Sequence, residues 1–82
     1  MTIDQYNELF VKQEGKCIIC GKHQNELKGR LYVDHDHSTG KIRGLLCKKC
    51  NLLLGYSNDD INILKGAIEY LNLINKENGI VE

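Results

Sequence analysis

The sequence predicts a small α+β domain in which a short β-hairpin lies between an N-terminal and a C-terminal helix. The chain has 82 residues, which suffices for one domain and leaves no room for a second. Apolar residues follow helical spacing near both ends, and two short β-type segments separated by turn residues occupy the middle. Four cysteines form two Cys-x-x-Cys pairs, a cross-linking device that small domains often need because they bury little core. Residues 1–82 are therefore expected to form a single domain.

The N-terminal helix is expected at residues 3–14. Thr2 can act as its N-cap, and Gln5 follows three positions later, as in a capping box. Gly15 would end the helix, because glycine readily takes the conformation of a helix terminus. The expected apolar stripe consists of Ile3, Tyr6, Phe10 and Val11.

The middle of the chain predicts a β-hairpin followed by a short helix. Residues 31–33 form the first strand, a Ser-Thr-Gly-Lys turn follows, and residues 42–46 return as the second strand. The helix is expected at 48–54 and would end at Gly55. These segments make a ββα core at about residues 31–55.

The C-terminal helix is expected at about residues 59–76, capped by Ser57 or Asn58. Its apolar residues form two stripes. Either both stripes pack on the rest of the chain, or one of them meets a partner subunit, and the second interpretation is slightly favoured. Residues 77–82 are expected to fray. The stripes are Ile61, Leu64, Ile68 and Leu71, and Ile63, Ala67, Tyr70 and Ile74.

Charge and hydropathy exclude some classes of protein. The net charge is zero, but residues 12–49 carry +5 and the two flanking segments carry −2 and −3. A basic middle suits a phosphate-rich partner, although an ordinary solvated surface gives the same count. Apolar runs such as the three leucines at 52–54 are at most four residues long, so no membrane span is expected. The first residues do not resemble a secretory signal.

The cysteines predict a structural zinc site. Cys17 and Cys20 are separated by 26 residues from Cys47 and Cys50, and two such knuckles can complete a tetrahedron of thiolates. Disulfides and free thiols are the alternatives, and disulfides are disfavoured without a secretion signal. Four sulfur ligands leave no open position, so this zinc would stabilise the fold and take no part in chemistry.

A second candidate site begins where the first strand ends, at Asp34-His35-Asp36-His37. Strict alternation on a strand would separate the acids from the imidazoles, so the strand must bend for them to converge. The second knuckle would bring Asn51 back toward the hairpin. Carboxylate and amide oxygens suit Mg²⁺, and imidazole suits a general base near neutral pH.

Other interpretations of these residues remain open. His37 or Asp36 could cap the turn, and His35 could be a further zinc ligand. His23 stands in a polar loop and is expected at the surface.

The segment 33–51, VDHDHSTGKIRGLLCKKCN, resembles the signature of the phage recombination endonuclease VII family. That family belongs to the HNH nucleases, also called ββα-metal or His-Me finger nucleases. Residues 14–21 fit the family's first knuckle, and the resemblance covers roughly residues 5–75. It implies a zinc-stabilised ββα-metal fold with flanking helices.

The resemblance also implies roles for individual residues. Asp34 and Asn51 would bind a catalytic Mg²⁺, for which Mn²⁺ can substitute. His35 would be the general base, and His37 would contact the scissile phosphate or assist the metal. Asp36 receives no catalytic role. Lys41, Arg43, Lys48 and Lys49 would neutralise DNA phosphates, and Cys17, Cys20, Cys47 and Cys50 would bind zinc.

The implied activity is metal-dependent hydrolysis of DNA phosphodiester bonds with weak sequence preference. Branched DNA is one candidate substrate, inside a bacterial cell and from a phage or prophage gene. Junction-resolving members of the family pair two subunits through a long C-terminal part, and the helix at 59–76 could form such a homodimer. The alternative is a non-catalytic zinc-stabilised module that binds DNA or a protein.

Overall fold

The computed structural model describes residues 1–77, with side chains as far as residue 75. Three helices and one two-stranded antiparallel sheet make up this part of the chain, together with a single turn of 3₁₀ helix at Gln24–Glu26. The α+β expectation is confirmed. The elements are α1 at Ile3–Lys12, β1 at Tyr32–His35, β2 at Ile42–Leu46, α2 at Lys48–Tyr56 and α3 at Ile61–Glu77.

Helix α1 begins with the expected capping box. The Gln5 amide donates to Thr2 Oγ1 at 3.1 Å, and the Thr2 amide donates to Gln5 Oε1 at 2.8 Å. The helix ends two residues earlier than expected, because the chain turns out of the helix before Gly15. Glu14 and Gly15 both take positive φ angles, 57° and 71°. A side chain at Gly15 would lie 2.6 Å from His23 Nε2, so the loop passes there only with glycine.

The apolar face of α1 differs in part from the expected stripe. Tyr6 and Phe10 pack against the core as expected, and Leu9 joins them. Ile3 and Val11 are 75% and 74% exposed, so their assignment to the stripe was wrong.

A β-bulge shapes the hairpin. Asp34 pairs with Gly44 and His35 pairs with Ile42, so Arg43 is an extra residue in β2. A bulge bends its strand and increases the local twist. The bend that convergence of the Asp and His side chains required is therefore present. Strand β1 also starts one residue later than expected and continues to His35.

The core is small and lies between the hairpin, α1, α2 and the cysteine-bearing turns. Half of its fully buried residues are cysteines, and the other half are three leucines against which further apolar side chains are only partly buried. Folding should consequently depend on whatever the cysteines bind. The buried residues are Cys17, Leu31, Leu45, Leu46, Cys47 and Cys50.

Polar contacts attach α1 to the hairpin. The Gln13 side chain hydrogen-bonds to the Leu45 backbone as a neighbouring strand would. Its Oε1 accepts from the Leu45 amide at 2.9 Å, and its Nε2 donates to the Leu45 carbonyl at 3.0 Å. The Tyr6 hydroxyl donates to the Leu31 carbonyl at 2.6 Å. These bonds satisfy backbone groups that a two-stranded sheet would otherwise leave unpaired.

The connection between α2 and α3 differs from the sequence expectation. Gly55 lies inside α2, which ends at Tyr56 with Ser57 as its C-cap. Asn58 and Asp59 follow with left-handed φ angles of 56° and 59°. Asp60 caps α3, because its Oδ1 accepts from the Asn62 amide at 2.8 Å. Capping of α3 by Ser57 or Asn58 was therefore a wrong assignment.

Helix α3 makes little contact with the other elements. Both of its apolar stripes are largely exposed, so the interpretation that both pack on the rest of the chain does not hold for the described residues. Residues 78–82, which include most of the segment expected to fray, lie outside the described part. Of the helices that are described, none is long and apolar enough to cross a bilayer. The large exposed side chains are Ile61, Ile63, Ile68, Tyr70, Leu71 and Leu73.

Candidate active site and metal centre

The four cysteines form one cluster. One Sγ atom from each lies within 4.8 Å of the others, and the Cys20 and Cys47 sulfurs are 3.8 Å apart. A tetrahedral zinc ion with Zn–S bonds of ~2.3 Å requires sulfurs ~3.8 Å apart. The donor set and its spacing therefore fit zinc. None of the four is in a disulfide, in agreement with the sequence argument.

Each knuckle is built by its own backbone. In the first, the Gly21 amide donates to the Cys17 carbonyl at 2.9 Å and the Cys17 amide donates to the Lys22 carbonyl at 3.0 Å. In the second, Cys47 is the N-cap of α2, and its sulfur accepts from the Cys50 amide at 3.5 Å. These hydrogen bonds shape each turn so that both of its sulfurs face the cluster.

The cluster perturbs two thiols in opposite directions. Burial raises the pKa of Cys17, but hydrogen bonds from the backbone amides of Cys20, Cys47 and Ile19 outweigh burial and lower that pKa to about 6. Burial, followed by contacts with the neighbouring sulfurs, raises the pKa of Cys50 far above its usual range. A zinc ion bound here would take Cys50 as a thiolate, so binding would release a proton from that residue.

A separate cavity of about 450 Å³ lies beside β1 and α2. Asp34, His35, His37 and Asn51 all line it. The β-bulge directs the end of β1 toward this cavity, and the second knuckle starts α2 so that its first turn delivers Asn51. His37 and Asn51 thus line the same cavity, although they are 14 positions apart in the sequence.

An ion-pair network joins two carboxylates that line the cavity, those of Asp34 and Asp59. Arg43 donates to both carboxylate oxygens of Asp34, through Nε at 2.7 Å and Nη2 at 3.1 Å. Its Nη2 also lies 3.3 Å from Asp59 Oδ2. The Asp34 side chain is only 12% exposed and that of Asp59 27%. The two carboxylates raise the pKa of Arg43, so this guanidinium remains charged.

Asp59 is a cavity residue that the sequence argument missed. Its carboxylate lines the cavity and lies 3.9 Å from His37 Nδ1. In the sequence it looks like an acidic residue at the start of a helix. The one local signal is Asn58-Asp59, a pair of residues that tolerate the left-handed conformation and can therefore turn the chain back toward the hairpin.

Asp36 caps the turn, as one of the alternatives held. Its Oδ1 accepts from the Ser38 amide at 2.8 Å and from the Thr39 amide at 3.1 Å. These hydrogen bonds, that from Thr39 first, lower the pKa of Asp36. This role explains why Asp36 does not line the cavity with its neighbours.

The other two interpretations concern histidines. One of them made His35 a further zinc ligand. Among the described residues, the group that could hold a metal ion consists of the four cysteines alone, and His35 lines the cavity instead. His23 is half-buried, packs its ring edge-on against Phe10 and accepts from the Asn25 amide at 3.0 Å. His23 is therefore at the surface only in part, since one face of its surroundings is the Phe10 ring of α1.

The four basic residues expected to contact DNA have different surroundings. Lys41 is exposed beside the hairpin turn, and Lys48 and Lys49 are exposed in the first turn of α2. Arg43 differs from them, since its guanidinium already has two carboxylate partners.

Comparisons with known proteins identify the family of the chain. The sequence profile of the family described as "Recombination endonuclease VII" matches residues 1–73. The chain is 50% identical over 72 residues to the Gene 59 protein of Mycobacterium phage L5, and 46% identical over 72 residues to that of Mycobacterium phage D29. Each match covers 87% of this chain and 43% of the relative, so the chain spans less than half the length of these relatives. Because the family profile covers most of its length, the chain belongs to the recombination endonuclease VII family.

Proposed function

We propose that this chain is a metal-dependent endonuclease domain of HNH (ββα-metal) type that hydrolyses DNA phosphodiester bonds with weak sequence preference. The observation that carries the proposal is the cavity in which Asp34, His35, His37 and Asn51 meet. Such a set combines hard oxygen ligands with imidazoles, which is the combination that metal-assisted hydrolysis uses. Membership of the endonuclease family supports the same activity.

Asp34 and Asn51 would hold a magnesium ion, or manganese in its place. Arg43 donates once to each Asp34 oxygen, and a carboxylate offers about four acceptor positions, so the group keeps free lone pairs directed elsewhere. Arg43 also fixes the orientation of Asp34. When bound, the ion would neutralise charge that builds on the phosphate and the leaving oxygen.

His35 would remove the proton from the attacking water. It is exposed at the end of β1 and lines the cavity, so water can reach its ring. Proton removal by a positioned imidazole generates the nucleophile without a second metal. His37, whose Nδ1 faces Asp59 at 3.9 Å, would direct its other ring nitrogen toward a substrate phosphate.

Exposed Lys41, Lys48 and Lys49 would neutralise backbone phosphates. Phosphate contacts position a nucleic acid without specifying its sequence. The contacts proposed for these three lysines are with phosphates alone. Weak sequence preference follows from this arrangement.

Plasmid nicking tests the proposal. Purified protein containing zinc should nick supercoiled DNA when Mg²⁺ is added, and His35→Ala should lose at least ~100-fold in rate, the usual contribution of a general base. Ser38→Ala is the matched control, because Ser38 is exposed in the neighbouring turn and does not line the cavity. Cleavage by His35→Ala at the rate of the control would refute the base assignment. Binding without any cleavage by the wild type would favour the non-catalytic module.

The preferred DNA structure is part of the same proposal. Branched DNA is the substrate we favour within it, because the family is named for recombination. Cruciform, linear duplex and single-stranded substrates compared at equal concentration give the order of preference. We place this action inside an infected bacterial cell, since the relatives are phage proteins and unpaired thiols persist in reducing compartments.

We also propose that α3 pairs with α3 of a second copy. Six large apolar side chains on this helix are exposed, and burying them would be favourable. Light scattering should give twice the chain mass for the wild type and the chain mass for Ile68→Lys with Leu71→Lys. A monomeric wild type would refute the pairing and leave this face to another segment or partner.

A further inference from the structure

Five basic side chains surround a groove on the zinc side of the molecule. The groove has a volume of about 750 Å³ and is bounded by the loop after the first knuckle, β1 and the start of α2. We call it the basic groove. Its basic residues are Lys22, Lys28, Arg30, Lys48 and Lys49.

These charges are concentrated and lack partners. Five of the eleven Lys and Arg residues line the groove, against one acidic residue, Glu26. In the part of the chain that the structure describes, none of the five lies within ion-pair distance of a carboxylate. A zinc ion with four thiolates carries a charge of −2, which leaves the groove at about +2. The chain as a whole is neutral, so the groove is a local excess of positive charge.

The groove adjoins the candidate active site. Leu52 of α2 lines both the groove and the cavity that contains Asp34 and His35. On β1, Tyr32 faces the groove, and Asp34 lies two residues further along, in the cavity. A polyanion with one phosphate in the cavity would therefore place its neighbouring phosphates within reach of the groove.

Tyr32 and Arg30 add a flat surface at this junction. The Arg30 guanidinium carbon lies 5.8 Å from the centre of the Tyr32 ring, a cation–π contact that holds the arginine along the groove wall. The ring is 37% exposed. An arginine held in this way loses less freedom when it binds a phosphate.

We propose that the basic groove binds the DNA backbone outside the cleaved phosphodiester, through Lys22, Lys28 and Arg30 together with Lys48 and Lys49. The proposal rests on the proposed nuclease function and extends the contact surface to the far side of α2. Regularly spaced phosphates match several unpaired cations along one groove better than an isolated anion does. The competing explanation is that the cations serve only to balance the thiolate charge.

A charge-neutralising variant and a matched control separate the two explanations. The groove variant is Lys22→Gln, Lys28→Gln and Arg30→Gln. The control is Lys12→Gln, Lys16→Gln and Lys65→Gln, which removes the same charge from positions outside the groove. Fluorescence anisotropy with a labelled duplex is measured from 50 to 300 mM salt without added Mg²⁺, and zinc content is measured in parallel.

Each phosphate contact contributes about eight-fold to affinity at 0.1 M salt and about 0.9 to the salt slope. The groove variant should therefore bind at least ~10-fold more weakly, with a slope shallower by up to about 3. The control should bind like the wild type, and both should retain zinc. Equal losses in the two variants, or no loss in either, would overturn the proposal. If the groove variant loses zinc, Lys28→Gln alone provides the test, with an expected slope change of about 1.

The outcome is separable from that of the nuclease proposal. Groove-dependent binding by a wild type that does not nick DNA would support the groove and refute the nuclease. If the wild type nicks DNA and the groove variant binds DNA as tightly as the wild type does, the nuclease proposal is supported and the groove proposal is refuted.

Discussion

Replacing Cys47 by serine tests how far this fold depends on its metal. Cys47 is both a candidate zinc ligand and the N-cap of α2, where its sulfur accepts from the Cys50 amide. Serine is among the best N-cap residues. Cys47→Ser therefore keeps the cap, changes the side-chain volume little and removes one thiolate, so its effect reports on metal binding.

The magnitude follows from the small core. Structural zinc contributes ~10–16 kcal/mol in small zinc modules, so one ligand of four is worth ~2.5–4 kcal/mol, or a roughly 100- to 1,000-fold loss of zinc affinity. A chain of 82 residues is expected to have a total stability of only ~4–12 kcal/mol. A core of three buried leucines and a few partly buried apolar side chains leaves little stability to offset this loss. The variant should be largely unfolded at 37 °C and low zinc.

Thermal unfolding followed by circular dichroism, with zinc titrated by a competing chelator, measures both quantities. Ile19→Ser is the control, since Ile19 lies in the first knuckle, is about half exposed and is not a ligand. It should bind one zinc ion and melt near the wild-type temperature. A metal-free Cys47→Ser protein with the wild-type melting curve would show that the cysteines do not hold the fold together.

Three further predictions concern the core, the cavity and the thiols. Leu45→Ala should destabilise the zinc-loaded protein by ~3–5 kcal/mol in denaturant titrations, because Leu45 is fully buried. Asp59→Asn keeps a residue that tolerates a left-handed backbone but removes the carboxylate beside Arg43. It should lower nicking activity or Mg²⁺ affinity about tenfold with unchanged zinc content, and wild-type values for both would refute its positioning role. The pKa of Cys17 is lowered from 9.0 to about 6, so its contribution to stability is complete above pH 9 and is lost as the pH falls to 6. Cys50 must also lose a proton to bind zinc. Zinc affinity in competition titrations should therefore fall steadily as the pH is lowered from 9 to 6. An affinity that does not change with pH would contradict the thiol assignments.

Arg43 connects two carboxylates that line the cavity. As the bulged residue of β2, Arg43 has no partner across the hairpin. Its side chain instead joins Asp34 of β1 to Asp59, just before α3. One guanidinium thus connects a proposed metal ligand to the link between the last two helices. We therefore expect a change at Arg43 to disturb metal binding before it disturbs DNA affinity.

The sequence by itself determined the features that depend on local spacing. The Thr2 and Gln5 capping box, the β2 bounds and the pairing of two Cys-x-x-Cys knuckles follow from short patterns whose physics involves only neighbouring residues. The motif around Asp34 and His35 was specific enough to identify the family. Its convergence with Asn51 could be argued in advance, because the knuckle closes the loop between them.

Only the tertiary structure decided which carboxylates meet. Asp36 bonds its own turn, Asp34 pairs with Arg43 across a bulge, and Asp59 reaches the site because two consecutive left-handed residues redirect the chain. Helix ends also differed from expectation: α2 continues past Gly55, and Asp60, a residue type that caps as well as serine or asparagine, is the cap of α3. A single sequence encodes such contacts through the relative position of distant segments. Residue preferences act between neighbours in the sequence, so they do not determine which distant side chain each carboxylate contacts.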